Sequence, residues 1–153
     1  MLVTITALVN VMSSNKKTYG LNILVIEDDK ASRILLEMLC NRYSCSSHSL
    51  KNGEAAILET KSNKYDLIFM DIDLPSSNGI DVMDKIIENS EFYKKIPFVP
   101  YTASVFPNDL ENYTKRGMKY LLPKPFELVQ LEEILDKVNS DKIMDLRQLK
   151  FFD

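Results

Sequence analysis

The stretch LIFMDIDLPSSNG, residues 67–79, ends an apolar run on two carboxylates, Asp71 and Asp73, with only Ile72 between them. A second acidic pair, Glu27 and Asp28, closes another apolar run, while Thr102 ends a third and Lys124 follows a fourth. Carboxylates gathered at one place repel one another, and a bound cation is the usual remedy. Hard oxygen ligands without histidine or thiol favour Mg²⁺, which takes one or two carboxylates and keeps its waters. A lysine ammonium and a threonine hydroxyl opposite that ion match the needs of a transferring phosphoryl group. An aspartate can be the nucleophile in line with it, giving an acyl phosphate. Each of these residues alone has a commoner structural use; their joint placement is what carries the signal.

The elements that must position them alternate. NILVIED (22–28) and YDLIFMD (65–71) are short continuous apolar runs of the kind found in strands buried on both faces. IPFVPYT (96–102) and KYLLP (119–123) are two more, and SCSSHSL (44–50) is a weaker strand. Between them Ala31, Ile34, Leu35, Met38 and Leu39 recur at helical spacing behind a capping Asp29. NGEAAILET (52–60) opens on a turn signal and favours helix, Ile80, Met83, Ile86 and Ile87 form a stripe, and a short helix is expected over 108–116. Leu128, Leu131, Ile134, Leu135 and Val138 make the clearest amphipathic helix. Five strands alternating with five helices predict an α/β fold, a doubly wound parallel sheet with helices on both faces. Such open sheets bind ligands outside the carboxyl ends of their strands. Glu27, Asp28, Asp71, Asp73, Thr102 and Lys124 all fall at that edge.

The 153 residues suit one domain, and the composition is 45% hydrophobic and 27% charged with a net charge of −3. That balance argues against nucleic-acid binding, which needs a basic patch or stripe. No apolar run reaches the about 20 residues needed to cross a membrane. MLVTITALVNVM lacks the cationic start of a secretory signal and reads as part of a loosely packed extension over residues 1–21. Cys40 and Cys45 have neither metal nor disulfide spacing and read as reduced thiols of a cytoplasmic protein. His48, the one histidine, reads as structural. With four glycines and no glycine-rich phosphate loop, the ligand is not expected to be a dinucleotide or a nucleoside triphosphate.

Two families use an aspartyl nucleophile on such an edge. Asp71-Ile72-Asp73 resembles the D-x-D opening of haloacid-dehalogenase-type phosphatases, in which the first Asp attacks and the second is a general acid. That family also needs an acidic pair downstream of the lysine at another strand end. Here Glu127, Glu132, Glu133 and Asp136 follow Lys124 on the last helix, and the acidic pair lies upstream. NILVIEDDKASR, DLIFMDIDLPSSNGID, IPFVPYTAS and GMKYLLPKPF together resemble the receiver domain of two-component response regulators, including those attached to hybrid histidine kinases. The resemblance spans Asn22 to Asn139 and implies a flavodoxin-like five-stranded sheet of order 2-1-3-4-5. It implies that Asp71 accepts a phosphoryl group from a phosphohistidine on a sensor histidine kinase or a histidine phosphotransfer protein. It also implies that Asp28 and Asp71, the backbone carbonyl of Asp73 and, through water, Glu27 hold Mg²⁺. Thr102 and Lys124 would contact the phosphoryl oxygens, and the Lys124–Pro125 bond would be cis.

Two positions depart from the family's pattern. The aromatic residue expected three before the lysine is Leu121, with Tyr120 beside it on the opposite strand face. Pro100 falls inside a strand that the fold makes internal, so a local irregularity is expected just before Thr102. The receiver is expected to span 22–139, and residues 140–153 read as a short tail without an effector domain. The expectation is a signalling switch rather than an enzyme, read out by the last strand and helix, a face that could also serve a homodimer. A pseudo-receiver without phosphotransfer and a D-x-D phosphatase are the alternatives.

Overall fold

The computed structural model describes residues 17–150, with side chains through 143. Most of the extension expected over 1–21 lies outside these residues. Five parallel strands, β1 (Asn22–Ile26), β2 (Ser46–Leu50), β3 (Leu67–Met70), β4 (Phe98–Thr102) and β5 (Leu122–Pro123), form one sheet of order β2-β1-β3-β4-β5. The crossovers are α1 (Lys30–Arg42), α2 (Gly53–Ser62), α3 (Gly79–Asn89) and α4 (Pro107–Lys115), and α5 (Leu128–Lys150) follows β5. The flavodoxin-like order expected from the sequence is the order found. β5 is shorter than KYLLP suggested, and α5 carries the chain as helix through the boundary expected at residue 139.

Three of the helices start where a side chain meets their free N–H groups. Asp29 accepts from Ser32 at 2.7 Å at the head of α1, Asn52 from Ala55 at 2.9 Å at α2, and Asn78 from Ile80 at 2.8 Å at α3. At α4, Pro107 stands in the first turn and Asp109 accepts the Phe106 N–H at 2.9 Å.

Two apolar clusters sandwich the sheet. Leu36 and Cys40 of α1 and Leu131, Ile134, Leu135 and Val138 of α5 pack on one face. Ala56, Ile80, Val82, Met83, Ile86 and Tyr113, from α2, α3 and α4, pack on the other. The stripes read for α3 and α5 are the buried ones. The stripe read for α1 is not: Ile34 is 41% and Met38 65% exposed, and Ala31 also faces solvent. α1 is apolar on two sides, and its rotation is set by Leu36, Cys40 and the following Tyr43, whose hydroxyl bonds Glu132 of α5 at 2.6 Å.

Pro100 does not interrupt β4, which runs unbroken to Thr102 and is buried throughout. The Pro97 carbonyl accepts from Ile68 on the β3 side and the Thr102 carbonyl from Lys124 on the β5 side. Alternation therefore points the Pro100 nitrogen at β5, whose ladder begins only at Tyr101 and Leu122. The missing donor faces a position where no partner strand needs it, so the expected irregularity does not arise.

Candidate functional site

The carboxyl ends of β1 and β3 hold the acids. Glu27 and Asp28 follow β1, and one carboxylate oxygen from each of Glu27, Asp28 and Asp71 lies within 4.8 Å of the others. Glu27 and Asp71 are buried whereas Asp28 is exposed. Local bonds fix this half. The Asp29 N–H donates to Glu27 Oε1 at 2.9 Å, and Arg33 donates to the carbonyls of Glu27 at 2.8 Å and Asp28 at 3.1 Å. Asp71 Oδ1 accepts the Asp73 N–H at 3.0 Å, and Asp73 is bridged to Asn78 across the loop. This loop closes tightly against the strand end: a Cβ on Gly79 would lie 2.5 Å from the Asp71 carbonyl oxygen and 2.9 Å from Ile72 Cα. Only a residue without a side chain fits there.

Lys124 crosses from β5. Its ammonium donates to Glu27 Oε2 and, at 3.2 Å, to Asp71 Oδ2, and it lies 4.9 Å from the centroid of the Tyr101 ring. The Lys124–Pro125 bond is cis, as the resemblance implied. Burial works against the ammonium, but the bond from Glu27 and the attraction of Asp71 outweigh it and hold its pKa above the ordinary lysine value. Burial pushes Glu27 up to about 7, against the bonds it receives from Lys124 and the Asp29 N–H. A second cation at this place would relieve the buried Glu27 carboxylate. The ligand atoms on offer are all oxygens, which fits a hard divalent ion such as Mg²⁺ better than a thiophilic one.

Thr102 ends β4 and is 1% exposed, but its hydroxyl is turned to the backbone of Ser104, at 3.3 Å from the N–H and 3.4 Å from the carbonyl. The fold thus brings Glu27, Asp28, Asp71 and Lys124 together, places Asp73 beside them through its backbone, and keeps Thr102 at the same edge with its hydroxyl engaged elsewhere. Leu121 and Tyr120 do lie on opposite faces, Leu121 in the cluster of α3 and α4 and Tyr120 in that of α1 and α5. His48 pairs with Glu59 at 3.9 Å, and both cysteines are buried free thiols. Sequence reasoning missed Arg33 and Tyr101. Arg33 stands one turn into a helix that starts at the acidic pair, a spacing that could have marked it. Tyr101 had no signal of its own. Its ring supports Lys124 from the buried side, its hydroxyl donates to the Ser32 carbonyl at 3.3 Å, and burial lifts its pKa to about 12.

Two of the acids after Lys124 are bonded away from this cluster. Glu132 bonds Tyr43, and Asp136 bonds Tyr19 at 2.6 Å and Lys17 at 2.9 Å, tying the start of the described chain to α5.

Residues 23–136 match the family model of the response regulator receiver domain. The transcription factor SKN7 of Saccharomyces cerevisiae is 30% identical over 124 residues, which are 81% of this chain and 20% of that protein. Hybrid signal transduction histidine kinase G of Dictyostelium discoideum is 30% identical over 122 residues, 78% of this chain and 4% of that protein. This chain therefore spans a fifth or less of these two relatives. Among solved structures, the receiver domain of sensor histidine kinase PA1611 from Pseudomonas aeruginosa, with magnesium in its active-site cleft, superposes with a TM-score of 0.71 at 27% identity. The superposition covers 79% of this chain and 98% of that one. Chemotaxis protein CheY4 of Vibrio cholerae shares the fold at a TM-score of 0.71 and 19% identity, over 77% of this chain and 98% of that one.

Proposed function

This chain belongs to the response regulator receiver domain family of two-component signalling, and from that premise we propose that Asp71 accepts a phosphoryl group from a phosphohistidine. The observation that carries the reading is the setting of Asp71: it is 5% exposed at a parallel strand end, 3.2 Å from the Lys124 ammonium and grouped with Glu27 and Asp28. An Asp71 carboxylate oxygen attacks phosphorus, the N–P bond of the donor breaks, and the imidazole leaves with the bonding pair. Asp28, Asp71, the Asp73 carbonyl and, through water, Glu27 are the groups that would hold Mg²⁺, which when bound supplies positive charge to the phosphoryl oxygens. Lys124 swings from its carboxylate partners to a phosphoryl oxygen, and Thr102 exchanges Ser104 for another. The donor is a sensor histidine kinase or a histidine phosphotransfer protein, and the outcome is a change of binding surface or onward relay of the phosphate. A multiple-turnover phosphatase is disfavoured because the acids grouped with Asp71 are the upstream Glu27 and Asp28, while Glu132 and Asp136 are bonded to Tyr43, Tyr19 and Lys17.

Intact mass after incubation with acetyl phosphate tests this on the wild type and Asp71→Asn, with and without Mg²⁺. One phosphoryl adduct, requiring both Asp71 and the ion, is the expected result. No adduct on a folded wild type that also fails to take up beryllium fluoride would leave a pseudo-receiver.

A further inference from the structure

The two edges of the sheet are unequal. β5 closes one side with two residues, Leu122 and Pro123, whereas β2 closes the other with five, Ser46–Leu50. An exposed edge strand is a template for pairing with another chain, and proteins blunt it with charge, proline, a bulge or shortness. β2 has none of these. Residues 44–50, SCSSHSL, contain no Asp, Glu, Lys, Arg or Pro, and the register with β1 runs unbroken from Asn22–Ser46 to Ile26–Leu50. The ladder fixes which backbone groups are left over. The Ser46 N–H donates to the Leu21 carbonyl at 2.9 Å, and the Leu50 carbonyl accepts from Glu27 at 3.0 Å. Alternate residues of a parallel strand address the same neighbour. Ser46, His48 and Leu50 therefore turn their backbone to β1, and Ser47 and Ser49 turn theirs out from the sheet. Among the described residues the outward N–H and C=O groups of these two serines have no partner.

The surroundings of this edge are open. A groove of about 990 Å³ runs along it on the α1 side, lined by Met38, Asn41 and Ser47 together with one acid and one base, Glu37 and Arg42. Met38 is 65% exposed, and Ile34, one turn before it, is 41% exposed. These two form the apolar side of α1 that the sheet does not cover. On the opposite face of β2, His48 stands beside Glu59 of α2 and Leu50 packs into the cluster of α2 and α3. Ser47 and Ser49 thus present their small side chains to the groove.

We propose that β2 pairs antiparallel with β2 of a second copy of this chain, about a two-fold axis through His48, joining the two sheets into one. The edge is complementary to itself. Around that axis Ser47 stands opposite Ser49 of the second copy, and Ser49 opposite its Ser47. Each pair exchanges both N–H and C=O bonds, the hydrogen-bonded arrangement of an antiparallel ladder, so the outward groups of both edges are used. His48 meets its own copy between them as the pair without hydrogen bonds, and no Asp, Glu, Lys or Arg of either strand faces its like. The axis is normal to the sheet, so the two α1 helices come together on one side and their Ile34 and Met38 side chains leave water against each other. A lone extended peptide would take the backbone bonds and leave that apolar side bare, which is why the occupant is a second copy. The contact is isologous and closed. The acid edges of the two copies then point in opposite directions, and both stay open.

The test is sedimentation of the full chain from micromolar to millimolar concentration, with amide exchange read on the same samples, for wild type, Met38→Lys, Ser49→Pro and Leu110→Lys. Proline at position 49 removes an outward N–H and spares the ladder with β1. Met38→Lys changes a side chain that is already mostly in water, and it decides the matter if the proline variant does not fold. Leu110→Lys alters an exposed apolar residue of α4, away from β2. The expected result is twice the monomer mass for wild type and Leu110→Lys, with exchange at Ser47 and Ser49 slowing as the dimer forms. The dissociation constant should rise at least tenfold in Met38→Lys and in Ser49→Pro. A folded wild type that stays monomeric overturns the inference; slow exchange at Ser47 and Ser49 in that monomer would mean that the edge is covered by this chain's own residues. A dimer of unchanged strength in Met38→Lys, or in a folded Ser49→Pro, puts the contact on another face and overturns it as well.

Discussion

The two halves of the functional edge are built differently. Around β1 and β3 every acid has a short, local restraint: Arg33 on two carbonyls, the Asp29 N–H on Glu27, the Asp73 N–H on Asp71, and a loop that closes on Gly79. Around β4 and β5 the ladder spans only the pairs Tyr101–Leu122 and Thr102–Pro123, and the threonine hydroxyl is held at the long limit of hydrogen bonding. One half is organised to present charge in a fixed geometry, the other to change its contacts cheaply. Lys124 belongs by sequence to the loose half and by its bonds to the rigid one, so it is the group that couples them.

Replacing that coupler should have the largest effect. Lys124→Met leaves Glu27 and Asp71 without their ammonium, and phosphorylation by acetyl phosphate should slow by about 100- to 1000-fold, the usual consequence of removing one positioned charge from a site. A stopped time course read by mass would show it; an unchanged rate would mean that the halves are not coupled through this side chain. Next is the rigid half. Gly79→Ala drives a Cβ into the Asp71 backbone and should cost about 1–3 kcal/mol, as overpacking usually does, read from denaturant midpoints. Arg33→Ala removes two bonds from a charged donor that is partly in water, so a loss of about 1.5 kcal/mol is expected from the same measurement. The smallest effect belongs to the loose half: Thr102→Val in the unphosphorylated protein should move stability by less than about 1 kcal/mol, because its two bonds are long and Ser104 can turn to water. A larger loss for Thr102→Val than for Arg33→Ala would reverse the comparison. Amide exchange should agree, with faster exchange over Ser104 to Lys115 than over Ile23 to Ile26.

Much of this architecture was legible beforehand because it is written in local patterns. Continuous apolar runs marked β1, β3 and β4, and the stripes of α3 and α5 named the residues those helices bury. The polar residues that interrupt these runs at their carboxyl ends marked the edge. α1 was read on the wrong side because a helix with two apolar faces has the same period whichever face is buried. Pro100 raised an expectation of a local irregularity before Thr102 because composition does not say which neighbour a given N–H addresses.

By itself, then, the sequence determined the order of elements, the sheet edge on which Glu27, Asp28, Asp71, Thr102 and Lys124 meet, and the family. Those depend on periods of two and 3.6 residues and on residue types, which are properties of short segments. The tertiary structure alone decided which way α1 is turned, that Lys124 pairs with Glu27 and Asp71 while Thr102 turns to Ser104, and that Tyr101 lies under the lysine. These are choices of rotation and rotamer, set by contacts between segments far apart in the chain, so no local pattern contains them.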